Sequence, residues 1–262
     1  METLLPSREE LLYLRKTLTV VEIADHYKKC KSIVEVWLKL HGIKYHEARY
    51  GHKIPTILTD LQKDIITGTM LGDGSIPFTS GKNFSFQFTQ STNRSDYVEY
   101  IHNALIPFSR KIEKQKRPKP YWKNGKLLHD SIQDYTESIR VRTASCSIFT
   151  DIRRRWYVPN IYEKGAVKIV PKDLVLNWRS TAFWFWDDGS NGDSLHIYTD
   201  GFIVEDVEFL IHRLSNDLGI IATKNLHDKK FTIRIAAKSR KKFIDGISQF
   251  IPSESLKTKV KE

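Results

Sequence analysis

The chain has 262 residues, enough to bury the core of one large or two smaller domains, and its formal net charge of +11 favours a polyanionic partner. Its two cysteines are too few for a disulfide scaffold or a zinc site, and it contains neither a membrane-spanning apolar run nor a secretory signal. We expect an intracellular, non-secreted protein of the cytoplasm, an organelle or the interior of a phage host, with no membrane partner.

Residues 1–50 are predicted to form a small all-α domain. Ser7 is a candidate N-cap, and Glu10 three residues later completes a capping-box pattern ahead of the first helix. Apolar spacing predicts a second helix over Val20–Tyr27 and a third over Ser32–Leu40, which Gly42 would end. Three short helices with this rhythm resemble a helix-turn-helix DNA-binding domain.

The predicted core and DNA-facing surface of this domain follow from the same periodicity. The core would comprise Ile23, Ala24, Ile33, Val36 and Trp37. The DNA-facing side chains would be Lys29, Lys31, Ser32, Glu35 and Lys39. Because the turn reads KKCK where glycine is usual, a plain three-helix packing domain stays open. Residues 51–57 are predicted to be a basic linker, where Lys53 and the preceding Arg49 would contact phosphates.

Beyond the linker, two nine-residue segments dominate the sequence. Ile66–Gly74 (ITGTMLGDG) and Thr181–Gly189 (TAFWFWDDG) each run a helix-like apolar stretch into an acid-glycine pair. Either segment alone is typical of a core helix with an acidic turn. The two copies together predict an internal repeat of about half the chain.

The small residues of the first copy indicate why the two helices would meet. Gly68 and Gly72 lie four apart on one helical face, so a second backbone can approach closely there. Asp73 and Asp188 would then emerge side by side at the shared end. Adjacent carboxylates repel, which a raised pKa or a divalent metal relieves.

The rest of the chain follows a repeated order of elements. Helices are predicted over 59–72, 95–107, 145–155, 179–187, 204–218 and 239–250, with strands between them. Segments such as FSFQF and FTIRIAA alternate apolar and polar residues, as antiparallel strands with one wet face do.

With these motifs, the chain resembles the LAGLIDADG homing endonucleases in their single-chain, two-repeat form. The similarity continues after each nonapeptide, in FQFTQST and DYVEYI of the first repeat and HIYTDGF and EDVEFL of the second. Ile66 and Thr181 stand where leucine is usual, and Phe183 replaces a glycine. The resemblance implies an α+β fold of two pseudo-symmetric αββαββα repeats, 58–170 and 171–262, with a saddle-shaped antiparallel sheet around two central helices.

The resemblance also implies the site. Asp73 and Asp188, with the backbone carbonyls of Gly72 and Asp187, would ligate a divalent metal, Mg²⁺ or Mn²⁺. One basic residue in each half would act near the phosphate, and a glutamine would position water. The matching positions are Lys168, Lys257, Gln90 and, as the repeat partner of that glutamine, Asp200. For the two lysines, an ordinary surface position stays an open alternative.

The expected partner is double-stranded DNA with a long, specific target site, bound by a monomer that acts as a pseudo-dimer. Candidate DNA contacts in the repeats are Gln87, Lys116, Arg117, Arg140, Arg142, Lys224, Asn225, Arg234, Lys238 and Arg240. For each strand residue, an exposed side chain without a base contact is the competing interpretation.

Two functions are compatible with the sequence. The first is a homing endonuclease that cuts both DNA strands, each in its own half of the site, and leaves 3′ overhangs. The second is a non-cutting DNA or RNA binder on the same fold, such as a repressor or an intron maturase. Both acids are present, which favours the first. Because the chain opens on Met1 and closes on KVKE, we expect a free-standing protein and not an intein.

Overall fold

The computed structural model describes residues 5–18, 20–43, 54–118, 121–123, 126–128, 135–159, 165–227 and 230–260. The chain divides into two compact units, Met1–Pro55 and Thr56–Glu262. Arg49 and Lys53, two of the predicted DNA contacts, lie outside the described residues. Within the described ranges, no helix has the length and apolar character needed to cross a membrane.

The smaller unit contains three helices, α1 (Arg8–Thr17), α2 (Val20–His26) and α3 (Lys31–Leu40). The N-cap predicted for α1 is present, because the Ser7 hydroxyl accepts a hydrogen bond from the backbone N–H of Glu10 at 3.1 Å. The observed bounds agree with the predicted three-helix pattern.

The core of this unit differs in part from the prediction. Ile23, Ala24 and Trp37 are buried as expected, but Ile33 and Val36 are 38% and 54% exposed. The residues that α3 buries are Val34, Trp37 and Leu38. Their spacing of three and four defines one helical stripe, and positions 33 and 36 lie about 100° to its side.

The larger unit contains two copies of one order of elements. The first copy comprises α4 (Asp60–Leu71), β1 (Gly74–Ser75), β2 (Gln87–Ser91), α5 (Ser95–Ala104), β3 (Ser109–Pro118), β4 (Tyr121–Lys123), β5 (Lys126–Leu128), β6 (Tyr135–Thr143), α6 (Ser147–Trp156), β7 (Tyr157–Pro159) and β8 (Ala166–Lys168). The second comprises α7 (Trp178–Asp188), β9 (Gly189–Asn191), β10 (Leu195–Tyr198), α8 (Val204–Leu218), β11 (Ala222–His227), β12 (Lys230–Ile235) and α9 (Ala237–Ser248). Short 3₁₀-helices follow β2 (Thr92–Arg94, one turn) and α9 (Glu254–Lys259, about two turns).

Each copy forms one four-stranded antiparallel sheet. Counted from the strand that directly follows the central helix, the strand order is β1-β2-β6-β3 in the first copy and β9-β10-β12-β11 in the second. The strands correspond in this order. The pairs β4–β5 and β7–β8 are separate two-stranded additions to the first copy. Apart from these, both copies follow αββαββα, which confirms the predicted α+β class and the internal repeat.

The central helices α4 and α7 begin with the same device. Thr59 caps α4 in a capping box with Gln62, and Asn177 caps α7 in one with Ser180. The two helices pack against each other. The contact is close at Gly68, where an added Cβ would come within 2.6 Å of the Phe183 Cβ. Glycine at this position therefore permits the approach that the sequence predicted.

Candidate active site

The approach of α4 to α7 brings the two predicted acids to one end of the helix pair. The backbone N–H of Asp73 donates to Asp187 Oδ2 at 3.1 Å, which ties the two motifs together. Loss of hydration, and then the negative charge of Asp73, raise the pKa of Asp188 to about 7. Loss of hydration also raises the pKa of Asp73. The site therefore holds the repelling carboxylates expected from the sequence.

Asp187 is a third acid in the same cluster. Its side chain is buried, and its Oδ1 accepts a hydrogen bond from the Tyr97 hydroxyl at 3.0 Å. Burial, and then the charges of Asp73 and Asp188, raise the pKa of Asp187 well above its ordinary value. The space for this side chain exists because the residue opposite is Gly72, where a Cβ would meet the Asp187 Cβ at 2.5 Å.

Lys168 lies beside the first motif. Its ammonium donates to the carbonyls of Gly72 at 3.2 Å and Gly74 at 2.9 Å. Burial lowers the pKa of Lys168 to about 8, although Asp188 opposes that shift. The side chain thus presents a cation close to both carboxylates.

The lysine that approaches the second motif is Lys259, and not Lys257. Lys259 Nζ donates to the carbonyls of Trp186 at 2.8 Å and Asp187 at 3.2 Å, and burial lowers its pKa to about 8. Lys257 is half exposed and pairs with Glu254. The two lysines lie on a 3₁₀ turn with about three residues per turn, so positions two apart point in different directions. The KTK sequence shows two candidates, and the geometry of this turn separates them.

The chain segments next to both lysines are held by acids of the opposite repeat. After Lys168, the buried Asp206 of α8 accepts a hydrogen bond from the Val170 N–H at 3.0 Å. Before Lys259, Asp96 of α5 accepts from the N–H of Ser255 at 3.0 Å and from its hydroxyl at 2.6 Å. Each repeat therefore fixes the segment that carries the lysine of the other.

Gln90 reaches Asp73, but its predicted counterpart is displaced by one residue. Gln90 Nε2 donates to Asp73 Oδ2 at 2.6 Å. In β1–β2 the residue opposite Gly74 is Phe88, and in β9–β10 the residue opposite Gly189 is Ile197. Two residues further along each chain stand Gln90 and Thr199, so Thr199 is the counterpart and Asp200 corresponds to Ser91.

Asp200 accordingly lies outside the position assigned to it. It pairs with Lys230 at 3.6 Å and is exposed, and its charge adds to the causes that raise the pKa of Asp188. A one-residue slip in a strand moves a side chain to the opposite face, which explains the error.

Arg94 is a member of the site that was not predicted from the sequence. Its guanidinium donates to Gln90 Oε1 at 3.4 Å and to the Trp186 carbonyl at 3.3 Å, so it joins the first repeat to the end of α7. The 3₁₀ turn after β2 brings it back toward Gln90. Its spacing of four residues from Gln90 was the available signal.

The oxygen atoms at this end of the helices suit a hard divalent cation. The carboxylates of Asp73 and Asp188 are oxygen ligands, and the carbonyls of Gly72 and Asp187 already face ammonium groups. In the part of the chain that the structure describes, no group of three or more His, Cys, Asp or Glu side chains could hold a metal ion by itself. Phosphate or water oxygens would have to complete the coordination shell.

The predicted DNA contacts of the first sheet divide between its faces. Gln87 pairs with Arg142 across β2–β6, and Arg140 follows on the same face. Arg140 also pairs with Glu113 at 2.8 Å. Lys116 instead lies opposite Glu137, on the face of the buried strand residues, and forms an ion pair with it at 3.1 Å. Lys116 is therefore not on the face of the two arginines. The side chain of Arg117 is not among those described.

The second sheet shows the same division. Arg234 is exposed and lies opposite both Thr223 and His196, and Asn225 is on this face as well. Lys224 lies opposite the buried Ile233, and its ammonium pairs with Glu208 of α8. Lys224 therefore lies on the side of the sheet that faces α8, and not on the face of Arg234 and Asn225.

The remaining predicted contacts lie on helices. Arg240 of α9 donates to Asn191 Oδ1 at 2.7 Å and to the Gly192 carbonyl at 3.0 Å, so it holds the β9–β10 turn. Lys238, at the start of the same helix, is exposed. In the smaller unit, α3 exposes Lys31, Ser32 and Lys39, and Lys29, which precedes this helix, is half-buried. Lys31 forms an ion pair with Glu35 at 3.3 Å.

Comparison with known proteins relates the larger unit to a family. The chain is 29% identical over 182 residues to the cytochrome b mRNA maturase bI2 of Saccharomyces cerevisiae, which covers 64% of this chain but only 39% of that protein. It is 28% identical over 211 residues to the probable intron-encoded endonuclease 1 of Wickerhamomyces canadensis, covering 76% of this chain and 84% of that one.

The fold has a solved counterpart. The homing endonuclease I-WcaI bound to its DNA recognition sequence matches with a TM-score of 0.66 and 24% identity, over 79% of this chain and 88% of that one. The sequence model of the LAGLIDADG DNA endonuclease family matches residues 63–243, more than half of the chain. The chain therefore belongs to the LAGLIDADG DNA endonuclease family.

Proposed function

We propose that this protein is a site-specific endonuclease that cuts both strands of a DNA duplex. The observation that carries the proposal is the contact between the two motif ends, where the Asp73 N–H donates to Asp187, the neighbour of Asp188. The ammonium groups of Lys168 and Lys259 donate to the carbonyls that precede the two acids. A stored pair of repelling acids destabilises a fold, so its presence favours a functional role. Family membership and the relatives named for endonuclease activity support the same conclusion.

The chemistry follows from the groups present. Asp73, Asp188 and the carbonyls of Gly72 and Asp187 would hold Mg²⁺ or Mn²⁺, which supplies charge neutralisation and Lewis acidity when bound. Gln90, through its hydrogen bond to Asp73, orients that carboxylate and a water beside it. An ammonium with a pKa of about 8 carries a charge at neutral pH, so Lys168 and Lys259 stabilise the negative charge that develops on the phosphate.

The polar faces of the two sheets are the proposed DNA-binding surface. Gln87, Arg140 and Arg142 in the first and Asn225 and Arg234 in the second are aligned by strand register. A single chain with two repeats can bind a long DNA target as a pseudo-dimer, with one repeat on each half of the target. Each repeat would then cut one strand, and the two cuts would leave 3′ overhangs. The net charge of +11 supports binding to phosphate.

The test is cleavage of a randomised duplex pool. We expect the full-length protein with Mg²⁺ to yield double-strand breaks at one sequence with 3′ overhangs, read by sequencing both new ends. The matched control is the Asp73→Asn/Asp188→Asn double variant, which should bind the same sequence and cut nothing. Binding by both proteins without cleavage by either would refute the proposal.

The 29% identity to a yeast mRNA maturase favours a second candidate, a non-cutting binder of intron RNA. The intact acid pair weighs against it, since RNA binding alone does not need it. Competition separates the two: specific intron-type RNA should fail to displace the selected DNA under the endonuclease proposal. Displacement at equal or lower concentration, together with absent cleavage, would support the maturase function.

The three-helix unit is proposed to extend the surface that binds DNA. Replacing Lys29, Lys31 and Lys39 together by alanine should make the dependence of log affinity on log salt less steep, by about 0.9 for each phosphate that the variant no longer neutralises. The rate of cleavage of bound DNA should not change. The control is alanine at Glu9, on α1, and an unchanged salt slope in the triple variant would reject this role.

A further inference from the structure

The two halves of the acid site share a backbone frame, an aspartate and a lysine, but they differ in the side chains that support each aspartate. In the first half, Gln90 donates to Asp73 at 2.6 Å, and Arg94 donates to Gln90 at 3.4 Å. Gln90 links the Arg94 guanidinium to the Asp73 carboxylate through these two hydrogen bonds. A neutral donor and a cation thus support the first carboxylate from one side.

The second half lacks both groups at the matching positions. By strand register, Thr199 of the second half corresponds to Gln90 of the first. Four residues further along the chain, Ile203 corresponds to Arg94. The Thr199 hydroxyl donates to the Phe231 carbonyl, within the sheet. Ile203 is 54% exposed and carries no charge. The residue after Thr199, Asp200, is an exposed carboxylate that pairs with Lys230 at 3.6 Å, so its side chain supplies no cation to the second half.

These differences act on the step that both halves share. Attack on a phosphodiester increases the negative charge on its oxygens, so a guanidinium lowers the barrier and a carboxylate raises it. Each half keeps one lysine, Lys168 or Lys259, so both retain a cation beside the motif. The halves differ in the groups that surround each acid: Gln90 and Arg94 support Asp73 in the first half, whereas the second half has a further buried carboxylate, Asp187, beside Asp188. This difference favours the first half.

We propose that the two strands are cut at unequal rates, with the half that contains Gln90 and Arg94 cutting first, so that a nicked duplex is an intermediate. This inference rests on the proposed endonuclease function. Loss of one preorganised donor commonly slows a reaction by about 10²–10³-fold. Because the lysines are retained, we expect a rate ratio of about tenfold or more between the strands.

The test measures each strand separately. The probe is a duplex recovered from a randomised pool by binding without divalent ion, labelled with a different fluorophore on each strand. The full-length protein in saturating excess is mixed with Mg²⁺, and both cuts are followed in a single turnover. We expect one strand to be cut about tenfold faster or more, with transient accumulation of nicked DNA.

A variant that makes the halves alike assigns the fast cut. Gln90→Thr with Arg94→Ile should slow the fast strand until the two rates agree, and the slow strand should change less than about twofold. Glu99→Gln, an exposed change on the neighbouring α5, is the matched control and should keep the wild-type ratio. If the double variant does not fold, Gln90→Thr alone should still slow only the fast strand, because the hydrogen bonds of Gln90 to Asp73 and Arg94 lie within the first repeat.

Three outcomes would overturn the inference, and one of them also overturns the proposed function. Equal rates in the wild type would leave double-strand cleavage intact and remove the asymmetry. Equal slowing of both strands by the variants would show that Gln90 and Arg94 support the whole fold. Binding of the probe with no cut in either strand would reject the endonuclease function itself.

Discussion

The central helices α4 and α7 both begin with a capping box and have nearly the same length. The residues at their interface nevertheless differ greatly in size. Counted from the acids Asp73 and Asp188, Gly68 and Phe183 hold the same position in their repeats, and so do Gly72 and Asp187. In each case the two residues face each other across the helix pair. The space beside each small residue of the first repeat is therefore filled by a larger residue of the second.

The comparison shows how a pseudo-two-fold interface loses its symmetry. A two-fold interface places equivalent residues opposite each other, so the space between them is shared. Only one partner has to be small for the backbones to approach. The second repeat uses the space left by Gly72 for the Asp187 carboxylate, which adds a third acid to the site.

The largest effect should come from the acids, where the two helices are alike. Asp73→Asn and Asp188→Asn should each lower the single-turnover cleavage rate by about 10³-fold or more, because each removes a charge from the metal site. Affinity measured by titration should change less than about threefold. Asp193→Asn, in the exposed β9–β10 turn, is the control. A variant that still cuts would mean that the acids are not equivalent.

A smaller loss is expected at the lysine of the second repeat. Lys259→Ala should slow cleavage of bound DNA by about 10²-fold, because its charge acts on the transition state. Lys257→Ala is the matched control, two residues away on the same turn, and should change the rate less than about twofold. Rates at saturating protein would decide the assignment; a larger loss at Lys257 would reverse it.

Packing between the helices should respond at Gly68. Gly68→Ala should lower the free energy of unfolding by about 1–3 kcal/mol, because its methyl group would overlap Phe183 and the α7 backbone. Gly192→Ala, where the added Cβ has open space, should stay within about 0.5 kcal/mol of wild type. Denaturant titration measures both. Equal effects at the two glycines would show that the helices can separate slightly at no cost.

The smallest effect has the opposite sign. The pKa of Asp188 is raised from its ordinary value of 3.8 to about 7, so the folded state binds more protons than the unfolded state between these values. Stability from this group is therefore lost as pH rises from 4 to 7. Without divalent ion at pH 8, Asp188→Asn should raise the melting temperature by about 2–4 °C, and the gain should vanish near pH 4.

Added Mg²⁺ provides the complementary measurement. It should stabilise the wild type at pH 8, because a bound cation offsets the carboxylate repulsion, and it should stabilise the Asn variant less. A lower melting temperature for the variant at pH 8 would contradict the raised pKa. Gln249, the exposed residue directly after α9, is a suitable site for a neutral control substitution to alanine.

Much of this architecture was readable in the sequence because it depends on local interactions. The Asp-Gly pairs, the apolar runs and their repetition predicted both central helices, their packing and the meeting of Asp73 with Asp188. The alternation of apolar and polar residues predicted the strands, and Ser7 predicted the start of α1. Period and capping depend on a few neighbouring residues, so these features do not need a three-dimensional context.

The tertiary structure decided which of several similar side chains reaches the acids. It selected Lys259 over Lys257, because positions two apart on a 3₁₀-helix point in different directions. It selected Thr199 over Asp200 as the counterpart of Gln90, because strand register determines which face each residue occupies. It turned Lys224 toward α8 for the same reason. It also brought Arg94 to the end of α7, a hydrogen bond between residues 92 positions apart that no local pattern encodes.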